Sequence, residues 1–132
     1  MDLARVLIIH GELAPRLTLR TLLEAGGYAV DVAATPAEAL AKLDKGQYEL
    51  VLSDSRVGSR RFGQDVLAYA RVKDYKPATA RITSNEPPWK RLSGHGKHVA
   101  VRTEDVPLLL GKVADLIGMR ASRRYRLLRP AV

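Results

Sequence analysis

The 132-residue sequence has no cysteine. That excludes a disulfide framework and any thiolate metal site. No window approaches the ~18–20 consecutive apolar residues of a membrane-spanning helix, although hydrophobic residues make up an ordinary 46% of the chain. The opening "MDLARVLIIHGE" has too short an apolar run for a secretory signal and no small-residue cleavage site. A cytoplasmic location without membrane association is the expectation. Internal repeats and low-complexity linkers are also missing, so the length is read as one domain around one core.

Acid is missing where base is densest. Residues 118–132 hold five arginines and no acid, and residues 54–102 hold eleven basic and four acidic groups. Residues 1–53 are mildly acidic, with five basic and seven acidic groups, so the net charge of +8 sits in the second half and the tail. That asymmetry points to an acidic partner, protein or nucleic acid, against the plainer reading of a solubilising surface. No groove-reading element is recognisable, so any nucleic-acid binding is expected to be weak and sequence-independent and to collapse as salt rises.

What is present is an alternation of short apolar runs and helical patterns. Residues 5–10, "RVLIIH", are β-branched and apolar, as in a buried strand. "LAPRLTLRTLLEAGG" places leucines at 13, 17, 19, 22 and 23 along a helical face, with Gly26 and Gly27 as the stop. "YAVDVAA" reads as a second strand. "TPAEALAKLDKG" is a helix with Thr35 as N-cap, Pro36 in the first turn and Glu38 completing a capping box. Residues 48–54, "YELVLSD", form the third strand, followed by a polar loop and then the helix "QDVLAYARVK", with Val66, Leu67 and Ala70 facing inward. Residues 79–84 and 98–101 are the fourth and fifth strands. Between them Pro87 and Pro88 are placed to open a short helix. "TEDVPLLLGKVADLIG" is the last helix, capped by Thr103 with Glu104 and Asp105 in its first turn. Strands separated by such helices imply βαβ units with right-handed crossovers. The expected fold is therefore α/β, a doubly wound five-stranded parallel sheet. Residues 1–118 make the domain, and residues 119–132 a basic C-terminal tail.

Sites in such sheets lie beyond the carboxyl ends of the strands. Those ends here are residues 10–12, Asp54, residues 83–84 and Arg102. With "EAGGY" and "YELVLSD" in place, the sequence from about residue 3 to 117 resembles the receiver domain of bacterial response regulators. The resemblance implies a (βα)5, flavodoxin-like order of 2-1-3-4-5. It puts Asp54 at the phospho-acceptor position and Thr83 at the hydroxyl position that contacts the phosphoryl group. It also marks departures. The acidic pair that holds magnesium is replaced by His10 and Gly11, with Glu12 one position further on. Arg102 stands for the lysine ending the fifth strand, Thr103 for the proline after it, and Val99 for the aromatic switch residue. The loop after Asp54 is longer and carries Arg56, Arg60 and Arg61.

Phosphoryl transfer depends on positioning and charge neutralisation, and magnesium prefers hard oxygen ligands. An imidazole and a glycine supply none. Asp54 is therefore expected to be a strand-tip acid paired with Arg102 or Arg56. His10 is expected to be hydrogen-bonded rather than a metal ligand. No catalytic residue, metal or other cofactor is assigned, and an enzyme is not expected. The reading is a receiver-like signalling module that acts by protein–protein contact. Trp89, Lys90, Arg91 and Arg102 are candidate partner contacts, because receivers commonly signal through the surface of the fourth helix, fifth strand and fifth helix. Two alternatives stand beside it: an active magnesium-dependent receiver phosphorylated at Asp54, and a basic nucleic-acid-binding module. The tail is compatible with nucleic-acid binding, with a docking helix, or with a disordered end.

Overall fold

The computed structural model describes residues 3–54, 60–83, 99–102 and 106–128, with side-chain environments over residues 3–54, 66–82 and 109–123. The described residues form five strands and four helices: β1 (Arg5–Ile9), α1 (Leu13–Ala25), β2 (Ala29–Ala33), α2 (Pro36–Lys45), β3 (Leu50–Asp54), α3 (Arg60–Arg71), β4 (Ala78–Thr83), β5 (Val99–Arg102) and α4 (Val106–Leu128). All pairings are parallel, and the order is β2-β1-β3-β4-β5, as the resemblance implies. The sheet is thus the doubly wound one expected from the alternation of elements.

Strand alternation divides the core in two. Val6 and Ile8 of β1, Leu50 and Leu52 of β3, and Ala78, Ala80 and Ile82 of β4 pack with Leu19 and Leu23 of α1 and with Leu109, Val113 and Leu116 of α4. On the other face, Leu7, Ile9 and Val51 pack with Ala39 and Leu43 of α2 and with Val66, Leu67 and Ala70 of α3. Val66, Leu67 and Ala70 face inward as the sequence indicates. Leu50 to Ser53 are at most 1% exposed, so β3 is buried on both faces with Asp54 at its tip.

Local signals account for the ends of the elements. The Thr35 hydroxyl accepts from the Glu38 amide while the Glu38 carboxylate accepts from the Ala34 amide, close to the reciprocal pattern of a capping box. At the end of α1, Gly26 N donates to Leu22 O and Tyr28 N to Leu23 O. Gly27 there has φ +97°, a conformation that disfavours any side chain.

Three expectations are corrected. Leu13 and Leu17 do not join the buried face of α1; they are 60% and 45% exposed. The helical repeat explains this: at about 100° per residue, Leu17 lies nearly opposite Leu19, and Leu13 lies about 120° around from it, outside the buried stripe. α3 starts at Arg60 rather than four residues later, so Arg60 and Arg61 lie in its first turn and not in a loop. Arginine and glutamine are good helix formers and outweigh Gly63. Finally, α4 continues ten residues past Gly118 to Leu128, so the basic tail begins as helix; one glycine costs about 1 kcal/mol, and "MRASRRYRLL" is otherwise helix-compatible. The expected capping residues 103–105 and the short helix at Pro87–Pro88 lie outside the described residues.

At the edge strand β2, Asp31 accepts from Tyr48 Oη (2.7 Å) and Arg5 Nη2 (3.0 Å). Burial pushes the Asp31 carboxyl up, but the two hydrogen bonds outweigh it and hold it below the ordinary 3.8. Burial and then the Asp31 hydrogen bond push the Tyr48 phenol up, so it stays protonated and donating.

Two outcomes follow. Because the Asp31 pKa is lower in the folded chain, its contribution is present above the unfolded value and lost as pH falls through the folded one. In urea titrations at stepped pH, Asp31→Asn should therefore flatten the acid loss of stability below about pH 4, modestly for a half-exposed pair. Leu52→Ala should cost about 2–5 kcal/mol, whereas Leu17→Ala should stay within about 0.5 kcal/mol.

Candidate functional site

β1 and β3 are adjacent and parallel, with Ile9 beside Ser53. The next residue of each strand, His10 and Asp54, therefore comes out at the same carboxyl edge. His10 continues the β1–β2 ladder through its amide, which donates to Ala33 O at 3.0 Å. Its carbonyl accepts from Arg16 Nη1 at 3.0 Å, from one turn into α1.

The imidazole is fixed from both sides. Nδ1 accepts from the Glu12 amide at 3.1 Å, so in the neutral ring the proton resides on Nε2. Nε2 in turn faces Asp54 Oδ2 at 3.6 Å, and the two side chains are only 11% and 13% exposed. That separation is longer than a hydrogen bond and lies within ion-pair range. One neighbour of Asp54 is thus the histidine that stands where the resemblance expects an acid. Of the expected partners, Arg56 lies outside the described residues, and only the backbone of Arg102 is described. Ser53, buried beside it, donates through Oγ to Asp54 O at 3.3 Å.

Register places the remaining candidates. Asp54 is the partner of Ile82, and Thr83, one residue on, is the partner of Arg102. The ends of β3, β4 and β5 therefore bring Asp54, Thr83 and Arg102 to one edge. Gly11 is exposed, and a Cβ there would meet only Ala34 O at 4.0 Å, ordinary contact. Glu12 is the N-cap of α1, exposed, and its side chain caps no amide. Trp89, Lys90 and Arg91 lie outside the described residues.

As a metal site this donor set is poor. Among the described residues no three histidine, aspartate or glutamate side chains converge. One carboxylate and one imidazole do not fit the octahedral oxygen shell that magnesium prefers.

The part sequence reasoning missed is Arg16. Nothing in "APRLT" singles out a cation that clamps the carbonyl of His10, because the contact depends on the angle at which α1 leaves the sheet.

The geometry fixes a tautomer. Long-range nitrogen–proton NMR at alkaline pH should show His10 protonated at Nε2 with Nδ1 bare, in wild type and in Asp54→Asn alike. The opposite tautomer would contradict the Glu12 contact.

No family model matches the chain, and no curated protein matches it in sequence. Solved structures do resemble it. Chemotaxis protein CheY4 of Vibrio cholerae is similar with a TM-score of 0.73 at 24% identity, over 87% of this chain and 99% of that one. A CheY-like response regulator receiver domain protein from Methanospirillum hungatei is similar with a TM-score of 0.77 at 22% identity, over 92% and 99%. The anti-anti-sigma factor PhyR of Bartonella quintana is similar with a TM-score of 0.78 at 18% identity, over 98% of this chain and 53% of that one. At these identities the likeness is one of fold: the chain has the fold of response regulator receiver domains.

Proposed function

We propose that this receiver-fold chain is a signalling module of a two-component or phosphorelay system in which Asp54 is not a useful phospho-acceptor. It would work in the cytoplasm by contact with a protein partner, without a cofactor and without catalysing a reaction of its own. The observation that carries the reading is the His10 imidazole, 3.6 Å from Asp54 Oδ2, at the position where a carboxylate would hold magnesium. Without a dication, an anionic phosphodonor approaching an ionised aspartate meets like charge, and the transition-state oxygens lose their main counter-charge. A guanidinium from Arg102 would neutralise one charge, but it does not replace a cation coordinated in line. The fold supports the signalling part of the reading. So does PhyR, a fold neighbour named for a protein-directed role, anti-anti-sigma factor. Trp89, Lys90, Arg91 and Arg102 are the proposed contacts for a partner, which the basic surplus suggests is acidic.

The test is mass spectrometry after incubation with a small phosphodonor and magnesium. The expected result is no phosphoryl adduct on Asp54. Stoichiometric modification within minutes, lost in Asp54→Asn, would establish the active-receiver alternative instead. Magnesium binding should appear only when His10→Asp and Gly11→Asp are combined, and the open space at Gly11 accepts the new side chain. Arg56 and Arg102 should still keep phosphorylation of that double variant slow.

A further inference from the structure

The pole of the molecule opposite Asp54 carries a feature that signalling through the strand tips does not use. α4 runs unbroken for 23 residues, about 35 Å of helix. It descends antiparallel to the strands, and its last described buried residue is Leu116. One turn on, Arg120 donates from Nε to Lys76 O (2.9 Å) and from Nη2 to Tyr75 O (2.6 Å). These carbonyls belong to the turn just before β4, where Lys76 has φ +45°. Arg120 is therefore pinned at the lower rim of the sheet. The helix continues for eight more residues, to Leu128, about 12 Å beyond that anchor.

The overhanging segment reads "ASRRYRLL": three arginines in four positions, and no acid after Asp115. Arg123 is exposed, as are Lys76 beside the anchor and Lys45 at the end of α2 on the same pole. The carboxylates at this pole are largely engaged. Glu24 pairs with Arg20, Asp44 with Lys73 and Tyr69, and Asp31 with Arg5 and Tyr48. Asp74 and Asp115 are exposed. The helix dipole favours cations in a last turn, but arginines at 123 and 124 stand before it. A second copy pairing along this segment would set like charges against each other.

We infer that the overhanging end of α4 is a binding element for the phosphate backbone of double-stranded DNA, without base readout. Arginine forks match phosphate oxygens. A helix about 10–12 Å across fits the ~12 Å major groove of B-form DNA, whereas the deep, narrow groove of duplex RNA does not admit it.

The test is fluorescence anisotropy of the full chain with a labelled mixed-sequence DNA duplex across a salt series. Binding should weaken steeply, log K against log salt falling with a slope of about −3, roughly −0.9 per neutralised phosphate. Two unrelated sequences should bind equally. Arg123→Ala/Arg124→Ala/Arg126→Ala should lose at least about tenfold at low salt and most of the slope. Alanine preserves the helix, which circular dichroism checks. Several results would overturn the inference: no binding at low salt, a triple variant that binds like wild type, duplex RNA bound as tightly, or displacement of DNA by polyglutamate at equal charge. The last would assign the element to an acidic protein. None of these outcomes bears on the phospho-acceptor reading, which concerns the other pole and a different measurement.

Discussion

Burial of β3 on both faces is the constraint from which the architecture follows. Leu50, Val51 and Leu52 have no exposed surface, and each neighbouring side chain points into a different half of the core. A strand buried this way needs a helical layer above and another below the sheet. Parallel pairing then sends every connecting helix back antiparallel to the strands. Once that is fixed, the faces of the sheet are closed to ligands, and only the two rims remain. The carboxyl rim receives the residues that follow each strand: His10, Asp54, Thr83 and Arg102. The opposite rim receives the ends of the helices.

At the carboxyl rim, His10 acts through both its backbone and its ring. His10 still closes the ladder to Ala33 and still starts the turn into α1. The Nδ1 of its ring accepts from the Glu12 amide, and its Nε2 faces Asp54. A pair of carboxylates in that space would repel each other and Asp54 unless a cation lay between them. An imidazole in that space brings no such repulsion.

The fold was legible because its signals are local and agree with one another. Apolar runs of strand length, the Thr35–Pro36–Glu38 helix start and Gly26–Gly27 all point to the same alternation, and strand order followed from resemblance. Legibility failed where a residue's role depends on direction in space. Leu13 and Leu17 counted toward a helical face in the sequence, yet both are exposed while Leu19 and Leu23 are buried. The expected last helix closed at Gly118, but flanking helix formers carry α4 through it to Leu128. At the site, composition showed that the acids were missing. It did not show that His10 would turn toward Asp54, since that depends on the Glu12 amide reached only after the chain bends.

The two rims are joined by α4, which packs through Leu109, Val113 and Leu116 against the same sheet face that β3 contributes to, and is fastened below by Arg120. A mechanical connection of this kind does not by itself transmit a signal. Coupling between two sites requires two states that each ligand prefers differently. In a receiver that accepts phosphate, the phosphoryl group selects the second state. If phosphate does not select it here, as proposed above, any shift between states has to be supplied by the binding partners themselves. A polyanion on the lower rim and a protein on the upper one would then influence each other only as far as both distinguish the same two arrangements of α4. The Arg120 anchor, held by backbone carbonyls rather than by packing, is the contact at which such arrangements would differ at least cost. Breaking it gives up two charge-assisted hydrogen bonds and leaves the apolar core intact.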